Sequence, residues 1–360
     1  MAPPSKKRLA FIDHSFHKMT RSSDFFLEIL NRDFEVTVFF DDGWKGGPEV
    51  DPHIVNAGKF DTVLFWQVLP FARSILRFSC DNLIWVPMYD SEWQRSSVGW
   101  RALRRLGLKV VCFSKALYEV TQRVGMYSIR VQYFPEVPKE TVSYGSPRVF
   151  FWQRVNGIVW PLVKRVLGEN DVEKTVLRDD PDPNQVFTEP TAEDAAKFHV
   201  EVIRNLKVAA GGRNDEYMRV LSSCNVFIAT RLKEGIGLNF LEAMALGMCV
   251  VATDAPTMNE YIATGDNGFL FDPEHPRAID LSRYAECGRR AKAQVARGRE
   301  QWEASLPAIL EFVSKPVPRK RSYWDTMLLL LWDVVRHAKL VIDKQFPHVS
   351  SSHSRGAVKR

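Results

Sequence analysis

Short apolar runs alternate with helical patterns from the start of the chain, and this alternation limits the folds open to it. RLAFID (8–13) and FEVTVFF (34–40) have the composition of buried strands, and SDFFLEILNR (23–32) between them has the spacing of a helix. Three further strands are predicted at DTVLFWQV (61–68), NLIWVPM (82–88) and LKVVCFS (108–114). Strands that are apolar on both faces and separated by helices predict a parallel sheet with right-handed crossovers.

The same alternation resumes after a segment that breaks all periodicity. Prolines and glycines interrupt residues 131–147, where a linker is predicted. Four strands are predicted beyond it, at RVFFWQR (148–154), FHVEVI (198–203), NVFIAT (225–230) and CVVAT (249–253). The segment 177–194 is interpreted as a loop. Because 360 residues exceed what one hydrophobic core usually supports, we expect two Rossmann-like domains, at 1–145 and 146–315.

Charge and cysteine content exclude several classes of protein. The formal net charge of +6 suits an anionic small molecule, a nucleic acid or a membrane surface, but no nucleic-acid-binding motif is present. The five cysteines are widely spaced and lie mostly in apolar runs, which indicates buried, reduced thiols and no zinc site. No secretory signal or long apolar span is found, so a cytoplasmic protein is expected, with no metal and no cofactor.

One segment combines carboxylates, glycines and a short apolar helix. EGIGLNFLEAMALG (234–247) follows a predicted strand, and its two acids, Glu234 and Glu242, stand eight positions apart. A loop with two glycines, a short helix closed by Gly247 and a new strand complete a βαβ element. Ligands of such sheets bind beyond the carboxyl ends of the strands, where Glu234 is expected to lie.

The same segment predicts a site for a phosphorylated sugar. Glycines allow a ligand to approach the backbone, and free N–H groups at a helix start favour an anion such as diphosphate. Glu242 lies among apolar neighbours, where an ionised carboxylate costs several kcal/mol unless it accepts hydrogen bonds. The hydroxyls of a ribose would supply those bonds, and Glu234 could bind the hydroxyls of a sugar in the same way.

The segment EGIGLNFLEAMALGMCVVATDAPTMNEYIATGDNGFLF (234–271) resembles the donor site of the family 4 retaining glycosyltransferases. Glu234 and Glu242 match the EX7E motif of that family in spacing and context. The resemblance implies an α/β GT-B fold, with two Rossmann-like domains facing across a cleft. It also implies that the second domain holds most of a nucleotide sugar, and that transfer needs no divalent metal.

Carried over residue by residue, the resemblance places Glu234 at the donor sugar and Glu242 at the ribose. It assigns the donor to the backbone amides of Gly235, Ile236, Gly237 and Leu238. AAGGRNDEY (209–217) is expected to line the base pocket by its place in the domain.

Positive charge for the leaving diphosphate is expected from Arg154 and one further cation. Arg154 occupies the position of the family's arginine, but an apolar stretch replaces the lysine that usually follows it. We therefore expect Arg231 or Lys233 to share the role, the alternative being ordinary surface charge for these two.

The first domain also departs from the family pattern. Its loop after the first strand has no glycine, but His14, His17, Lys18 and Arg21 precede a capped helix and could bind a phosphate or an acceptor. The alternative is a capped surface loop. After the fourth strand, Asp90 takes the place of the family's histidine and could meet an acceptor hydroxyl as a catalytic carboxylate, or it could cap the next helix.

The carboxyl-terminal segment 322–346 is predicted to form an amphipathic helix. Its apolar face comprises Trp324, Leu328, Leu331, Val335, Ala338 and Ile342. The favoured interpretation is a closing helix, residues 316–346, that packs back on the N-terminal domain. The alternative is peripheral docking on an anionic membrane, because four cations precede the helix. Residues 347–360 are expected to be a disordered tail.

The function expected from the resemblance is transfer of a sugar from a nucleoside diphosphate donor to an acceptor hydroxyl, with retention at the anomeric carbon. A glycan or glycolipid acceptor, in polysaccharide or glycolipid assembly, fits that activity. The expected location is the cytoplasm or the inner face of the membrane, with no nucleic acid as partner. The alternative is a non-catalytic GT-B-like scaffold that binds a nucleotide or a glycan.

Overall fold

Two parallel six-stranded sheets, each flanked by helices, make up the two halves of the molecule. The computed structural model describes residues 6–182, 185–204, 206, 215–317 and 322–345. The predicted tail and most of the predicted base-pocket segment, 209–214, lie outside these residues. The predicted α/β class, with two Rossmann-like halves, is confirmed.

The first half contains six strands and seven helices among the described residues. The strands are β1 (Lys7–His14), β2 (Phe34–Asp41), β3 (Thr62–Trp66), β4 (Leu83–Val86), β5 (Lys109–Cys112) and β6 (Ser128–Arg130). The helices are α1 (His17–Thr20), α2 (Asp24–Asp33), α3 (Pro52–Ala57), α4 (Ala72–Ile75), α5 (Tyr89–Glu92), α6 (Ser97–Arg104) and α7 (Lys115–Arg123). A 3-10 turn lies at Gly43–Lys45.

The second half repeats this alternation. Its strands are β7 (Arg148–Gln153), β8 (Lys174–Asp179), β9 (Val200–Arg204), β10 (Val226–Ile228), β11 (Cys249–Thr253) and β12 (Gly268–Phe271). Its helices are α8 (Trp160–Leu167), α9 (Ala192–Lys197), α10 (Asp215–Ser222), α11 (Leu238–Leu246), α12 (Tyr284–Ser314) and α13 (Tyr323–Gln345). Further 3-10 turns lie at Met258–Glu260 and Leu281–Arg283. β8 and α9 occupy the two ends of the segment 177–194, and its described residues between them, 180–182 and 185–191, form no helix or strand, so the predicted loop is shorter than expected.

The order of the strands determines where a ligand can bind. The first sheet runs β2-β1-β3-β4-β5-β6 and the second runs β12-β11-β10-β7-β8-β9. In the second sheet the order reverses between β7 and β10, which pair through Phe151 and Ile228. Connections from these two strands leave in opposite directions, and the crevice between them is the usual ligand site of such sheets. Arg154 directly follows β7, and Arg231 follows β10.

The long helix α12 belongs to both halves. Its first part packs on α11, where Gly288 lies so close to the carbonyl oxygen of Gly247 that a Cβ would come within 2.2 Å of it. Its second part contacts α2 of the first half, and Trp302 joins an aromatic cluster with Phe25 and Tyr133. The predicted domain 146–315 therefore ends in a helix that packs on both sheets.

The final helix α13 returns to the first half. Leu329 is fully buried, and the carboxylate of Asp333 accepts hydrogen bonds from the backbone amides of Ala72 and Arg73 at 2.8 and 2.7 Å. The guanidinium of Arg336 donates to the carbonyl oxygens of Leu69 and Pro70. None of the helices in the described chain combines the length and apolarity needed to cross a bilayer.

Candidate donor site at the switch point

The loop between β10 and α11 is shaped by glycine. Gly237 precedes α11 with φ of 84°, a left-handed conformation that favours glycine, and a Cβ there would meet the ring of Phe240 at 1.9 Å. Gly247 ends the helix with φ of 90°. The predicted strand, glycine loop and short helix are therefore found where the sequence indicated, and Leu238 is the first residue of α11.

This loop touches the first half of the molecule. A Cβ on Gly235 would lie 2.9 Å from the Cβ of Met88 and 3.1 Å from Oδ1 of Asp90. Both residues lie at the start of α5, beyond the carboxyl end of β4. The predicted cleft between the two halves is therefore closed at this point, and only a residue without a side chain fits the contact.

Two arginines and two aspartates form a chain of ion pairs beside the loop. Arg231 donates through Nη1 to Oδ2 of Asp90 at 3.2 Å and through Nη2 to Oδ2 of Asp182 at 3.0 Å. Nε of Arg154 donates to Oδ1 of Asp182 at 2.7 Å. Side chains that follow β7, β8 and β10 thus meet at one edge of the second sheet, and the Arg231–Asp90 pair joins them to the residue that follows β4 in the first half. We call these four residues the switch-point cluster.

Glu234 lies in the electrostatic field of this cluster. Burial raises the pKa of Glu234 to about 7, against the attraction of Arg231 and Arg154 and with the repulsion of Asp90 and Asp182. With Glu234 ionised, three carboxylates would face two guanidinium groups. Proton uptake by Glu234 near neutral pH relieves that excess of negative charge.

Two atoms of the switch-point cluster have unused hydrogen-bonding capacity. Oδ1 of Asp90 and Nε of Arg231 are buried, and neither has a partner among the described residues. Burial raises the pKa of Asp90 despite the nearby Arg231, whereas three carboxylates raise the pKa of Arg231 against the effect of burial. A ligand with donor and acceptor groups could satisfy both atoms.

Lys233 is directed away from the ion pairs. Its Nζ lies 4.0 Å from the centroid of the Trp93 ring, so it contacts the first half through a cation–π interaction. Ile236 is buried. Of the two candidates for added positive charge, Arg231 shares the carboxylate of Asp182 with Arg154. Lys233 contacts neither Asp182 nor Asp90 among the described contacts.

Glu242 occupies the middle of α11 and is half-buried. Its charge contributes to raising the pKa of Tyr133 and that of Tyr217, although burial is the main cause for both tyrosines. Tyr217 lies in α10 and also senses the charges of Arg178 and Arg154. Glu242 therefore lies in the same charged region as Arg154, which follows β7, and Arg178, near the end of β8.

Sequence reasoning missed two members of this neighbourhood. Asp182 lies in the segment that was interpreted as a loop, and Arg178 near the end of β8 is almost fully buried. The guanidinium of Arg178 stacks 4.0 Å from the Trp152 ring centroid, and its Nε and Nη1 have no hydrogen-bond partner among the described residues. A charge amid apolar strand residues was the only available signal, because a buried cation needs a compensating group.

The histidine-containing loop of the first half forms a separate network. Asp13 accepts hydrogen bonds from Ser23 Oγ at 2.6 Å and pairs with Nδ1 of His17 at 2.7 Å. His14 stacks on Trp44 with ring centroids 4.2 Å apart, and burial lowers the pKa of His14 to about 4.

The two cations of this loop have partners of their own. Lys18 lies over the Phe40 ring, and Arg21 pairs with Asp24. A depression of about 300 Å³ lies beside them, lined in part by His17, Lys18 and Arg21. Among the described residues, none of the hydrogen bonds of this loop reaches the switch-point cluster, and its acceptor role stays a prediction.

Glu260 makes a second connection between the halves. It caps the start of α7, accepting hydrogen bonds from the Lys115 amide at 2.7 Å and from Ser114 Oγ at 3.0 Å. Arg130 donates to its other oxygen at 3.1 Å. Because Glu260 lies in the 3-10 turn after β11 and its partners lie in the first half, this contact adds to the Arg231–Asp90 pair and to the packing of α12 between the halves.

Comparison with known proteins agrees with this architecture. Residues 198–286 match the family described as Glycosyl transferases group 1, a segment that contains both Glu234 and Glu242. No curated protein matches the chain.

Solved structures with a similar fold cover most of the chain. Sucrose-phosphate synthase from Thermosynechococcus elongatus superposes with a TM-score of 0.57 at 14% identity, covering 85% of this chain and 98% of its own. HepE from Anabaena, solved with UDP-glucose, gives 0.55 at 15% identity, covering 84% and 100%. A glycosyltransferase from Rickettsia africae gives 0.55 at 11% identity, covering 86% and 98%. The fold of this chain is GT-B.

Proposed function

We propose that the chain is a glycosyltransferase that moves a sugar from a nucleoside diphosphate to an acceptor hydroxyl. The observation that carries the proposal is the meeting of Arg154, Arg231 and Glu234 at the switch point of the second sheet, where Arg231 and Glu234 belong to the segment that matches the glycosyltransferase family and Arg154 is linked to Arg231 through Asp182. HepE, which shares the fold, was solved with UDP-glucose, and a donor of that class suits a site with two arginines.

Each residue has a defined role in this proposal. Arg154 and Arg231 exchange Asp182 for the diphosphate and stabilise the negative charge that develops on it as the glycosidic bond breaks. The amides of Gly235 to Leu238 assist at the start of α11. Glu242 accepts hydrogen bonds from the ribose. Glu234 binds the hydroxyls of the donor sugar.

The finer points of the proposal concern stereochemistry and acceptor. Transfer proceeds with retention, by a front-face path in which the leaving diphosphate oxygen takes the proton of the acceptor hydroxyl. No protein nucleophile and no metal is assigned a step. Asp90, at the junction of the halves, orients the acceptor hydroxyl through its buried Oδ1. The acceptor is a glycan or glycolipid.

Release of nucleoside diphosphate from a panel of sugar nucleotides, with sugar and lipid acceptors present, tests the proposal. We expect turnover with at least one donor, loss of turnover in Glu234→Ala, and an anomeric configuration in the product that matches the donor. Glu274→Ala, an exposed acid distant in sequence, is the control and should turn over normally. Binding without turnover across both panels would instead identify a non-catalytic scaffold.

A further inference from the structure

The helix α13 turns polar side chains toward the protein and apolar side chains away from it, the opposite of most surface helices. Its polar residues Asp325, Asp333 and Arg336 face the protein, where they bond to Arg105, to the amides of α4 and to carbonyl oxygens before α4. Surface helices normally bury their apolar side against the core and expose their polar side. In α13 the attachment to the first half therefore combines these polar bonds with apolar contacts made by the buried Leu329 and by Trp332, whose ring lies beside Gly99.

The side of α13 that faces away from the protein is apolar across residues 323–338. At about 100° per residue, the exposed apolar positions occupy an arc of about 160°. They are Tyr323, Trp324, Met327, Leu328, Leu330, Leu331, Val334, Val335 and Ala338. Trp324 is 74% exposed and Leu331 is 62% exposed. We call these residues the outer face; most of the apolar residues that the sequence predicted to pack inward belong to it.

The width of the outer face distinguishes between a second helix and a lipid bilayer as its binding partner. A second helix needs only a narrow seam of apolar residues, about two in seven, whereas a helix lying in a bilayer interface needs a broad apolar side. Tyr323 and Trp324 stand at one end of the face, and such amphipathic rings favour the headgroup level. The arc is too apolar for water and too broad for a simple helical seam.

The charges around the outer face indicate the kind of bilayer. α13 contacts α4 and α6, and the exposed cations of these elements are Arg73, Arg101 and Arg104. The sequences of α4 and α6 contain no acidic residue. In the sequence, Arg319, Lys320 and Arg321 are separated from α13 by Ser322 alone. Cations beside an apolar helix complement anionic phospholipid headgroups.

We propose that the protein docks on an anionic phospholipid bilayer through the outer face of α13, with Arg73, Arg101 and Arg104 against the headgroups. The helix lies in the plane of the interface and does not span it. The first half, to which α13 is attached by Asp333 and Arg336, is then held beside the lipid surface. This proposal stands independently of the proposed glycosyl transfer, because it concerns a surface outside the switch-point cluster.

Co-sedimentation of the full chain with vesicles tests the proposal. We expect binding to vesicles of equal parts phosphatidylcholine and phosphatidylglycerol, and much weaker binding to phosphatidylcholine alone. Leu331→Glu should lower the vesicle affinity by at least about tenfold, because it places a charge in the outer face, which the lipid would bury. Ile54→Glu is the matched control, 63% exposed and on α3, and should bind as the wild type does. Arg101→Glu with Arg104→Glu should lower only the part of binding that depends on phosphatidylglycerol.

Light scattering on the same proteins separates the competing occupants. Leu331 is exposed, so its variant should melt like the wild type, and that melting is checked first. A wild type that stays in the supernatant with anionic vesicles overturns the proposal, as does a Leu331→Glu variant that binds like the Ile54→Glu control. A wild-type dimer that Leu331→Glu converts to monomer, without vesicle binding, would assign the outer face to a second copy of the chain.

Discussion

Glu234 differs from an ordinary surface acid because its neighbours include both cations that lower its pKa and carboxylates that raise it. Arg231 and Arg154 favour its ionised form, while Asp90, Asp182 and burial oppose it, and the balance raises its pKa to about 7. A carboxyl group that is partly protonated at neutral pH can donate as well as accept a hydrogen bond. That property suits a sugar, whose hydroxyls do both.

Replacement of Glu234 by Gln should make stability less dependent on pH. Because the pKa of Glu234 is higher in the folded protein than its ordinary value of 4.5, its contribution to stability is complete below about pH 4.5 and is lost as pH rises through about 7. Glutamine cannot ionise, so the free energy of unfolding of Glu234→Gln relative to the wild type should rise between about pH 5 and pH 8. Urea unfolding at both pH values measures it, with Glu274→Gln as the control. A difference that is constant with pH would contradict the position of Glu234 among the charges of the switch-point cluster.

Replacement of Asp182 by Asn should tighten nucleotide binding. Asp182 bridges Arg154 and Arg231, so a diphosphate must displace its carboxylate to reach both guanidinium groups. An amide holds arginine more weakly, and we expect the dissociation constant of a nucleoside diphosphate to fall by about threefold to tenfold. Isothermal titration measures this, with Asp266→Asn, which removes an acid paired with Arg290, as the control. Weaker binding in Asp182→Asn would mean that Asp182 positions the arginines.

At the level of single residues the sequence indicated part of the site. Arg154 and Arg231 could be predicted because they follow apolar strands, and the ends of such strands converge. Asp182 could not, because it stands in DDPDPN, where acids and prolines are typical of any turn. Its contact with both arginines depends on how that irregular segment folds over the sheet edge.

Among the elements, nine of the twelve described strands were predicted, and β6, β8 and β12 were not. RVFFWQ forms β7 as expected, whereas KTVLRD forms β8 with a charged residue near each end and was placed partly in a loop. β8 exists because it pairs with β7 on one side and β9 on the other, a tertiary effect that local composition does not contain. The outward direction of α13 was likewise not predictable, because periodicity locates an apolar face but not what covers it.

The start of α11 offers a test of the glycine loop. Gly237→Ala adds a Cβ that would overlap the Phe240 ring at a residue with φ of 84°, whereas Gly265→Ala adds one at φ of 77° with no atom within 4 Å. Both variants carry the backbone penalty of about 1 kcal/mol, but only Gly237→Ala carries the overlap, worth about 1–3 kcal/mol more. Chemical unfolding of the two variants gives the difference. Equal losses would show that the ring moves aside without cost.

On the scale of the whole molecule, the halves share one apolar cluster and are also joined by a few charged pairs. Glu260 and the Arg231–Asp90 pair bridge the two sheets near the candidate site, and α12 packs on both. The two α/β halves and their order could be predicted from the alternation of strands and helices. Their closure could not, because it depends on pairs such as Glu260 with Arg130, which are distant in sequence.

Loss of the Glu260 contact should open the molecule. Glu260→Ala leaves the start of α7 without its cap and Arg130 without its partner, so we expect a larger radius of gyration by small-angle X-ray scattering. Arg130→Ala, which removes one bond from the other side, should give a smaller increase. Glu286→Ala removes ion pairs formed by residues of the second half only and is the control. An unchanged radius in Glu260→Ala would show that α12 alone fixes the closure.

The central claim is that the arginines at the switch point bind the diphosphate of a nucleotide. Titration of the wild type with UDP, GDP, ADP and dTDP tests it most directly. Two variants, each with one arginine at an end of β7 replaced, are titrated in the same way. Arg154→Gln alters the switch-point end of β7, and Arg148→Gln alters an arginine of similar exposure at the opposite end. We predict that at least one nucleotide binds, and that Arg154→Gln weakens it by at least about tenfold while Arg148→Gln does not. Absence of binding by all four nucleotides, or equal binding by both variants, would contradict the claim.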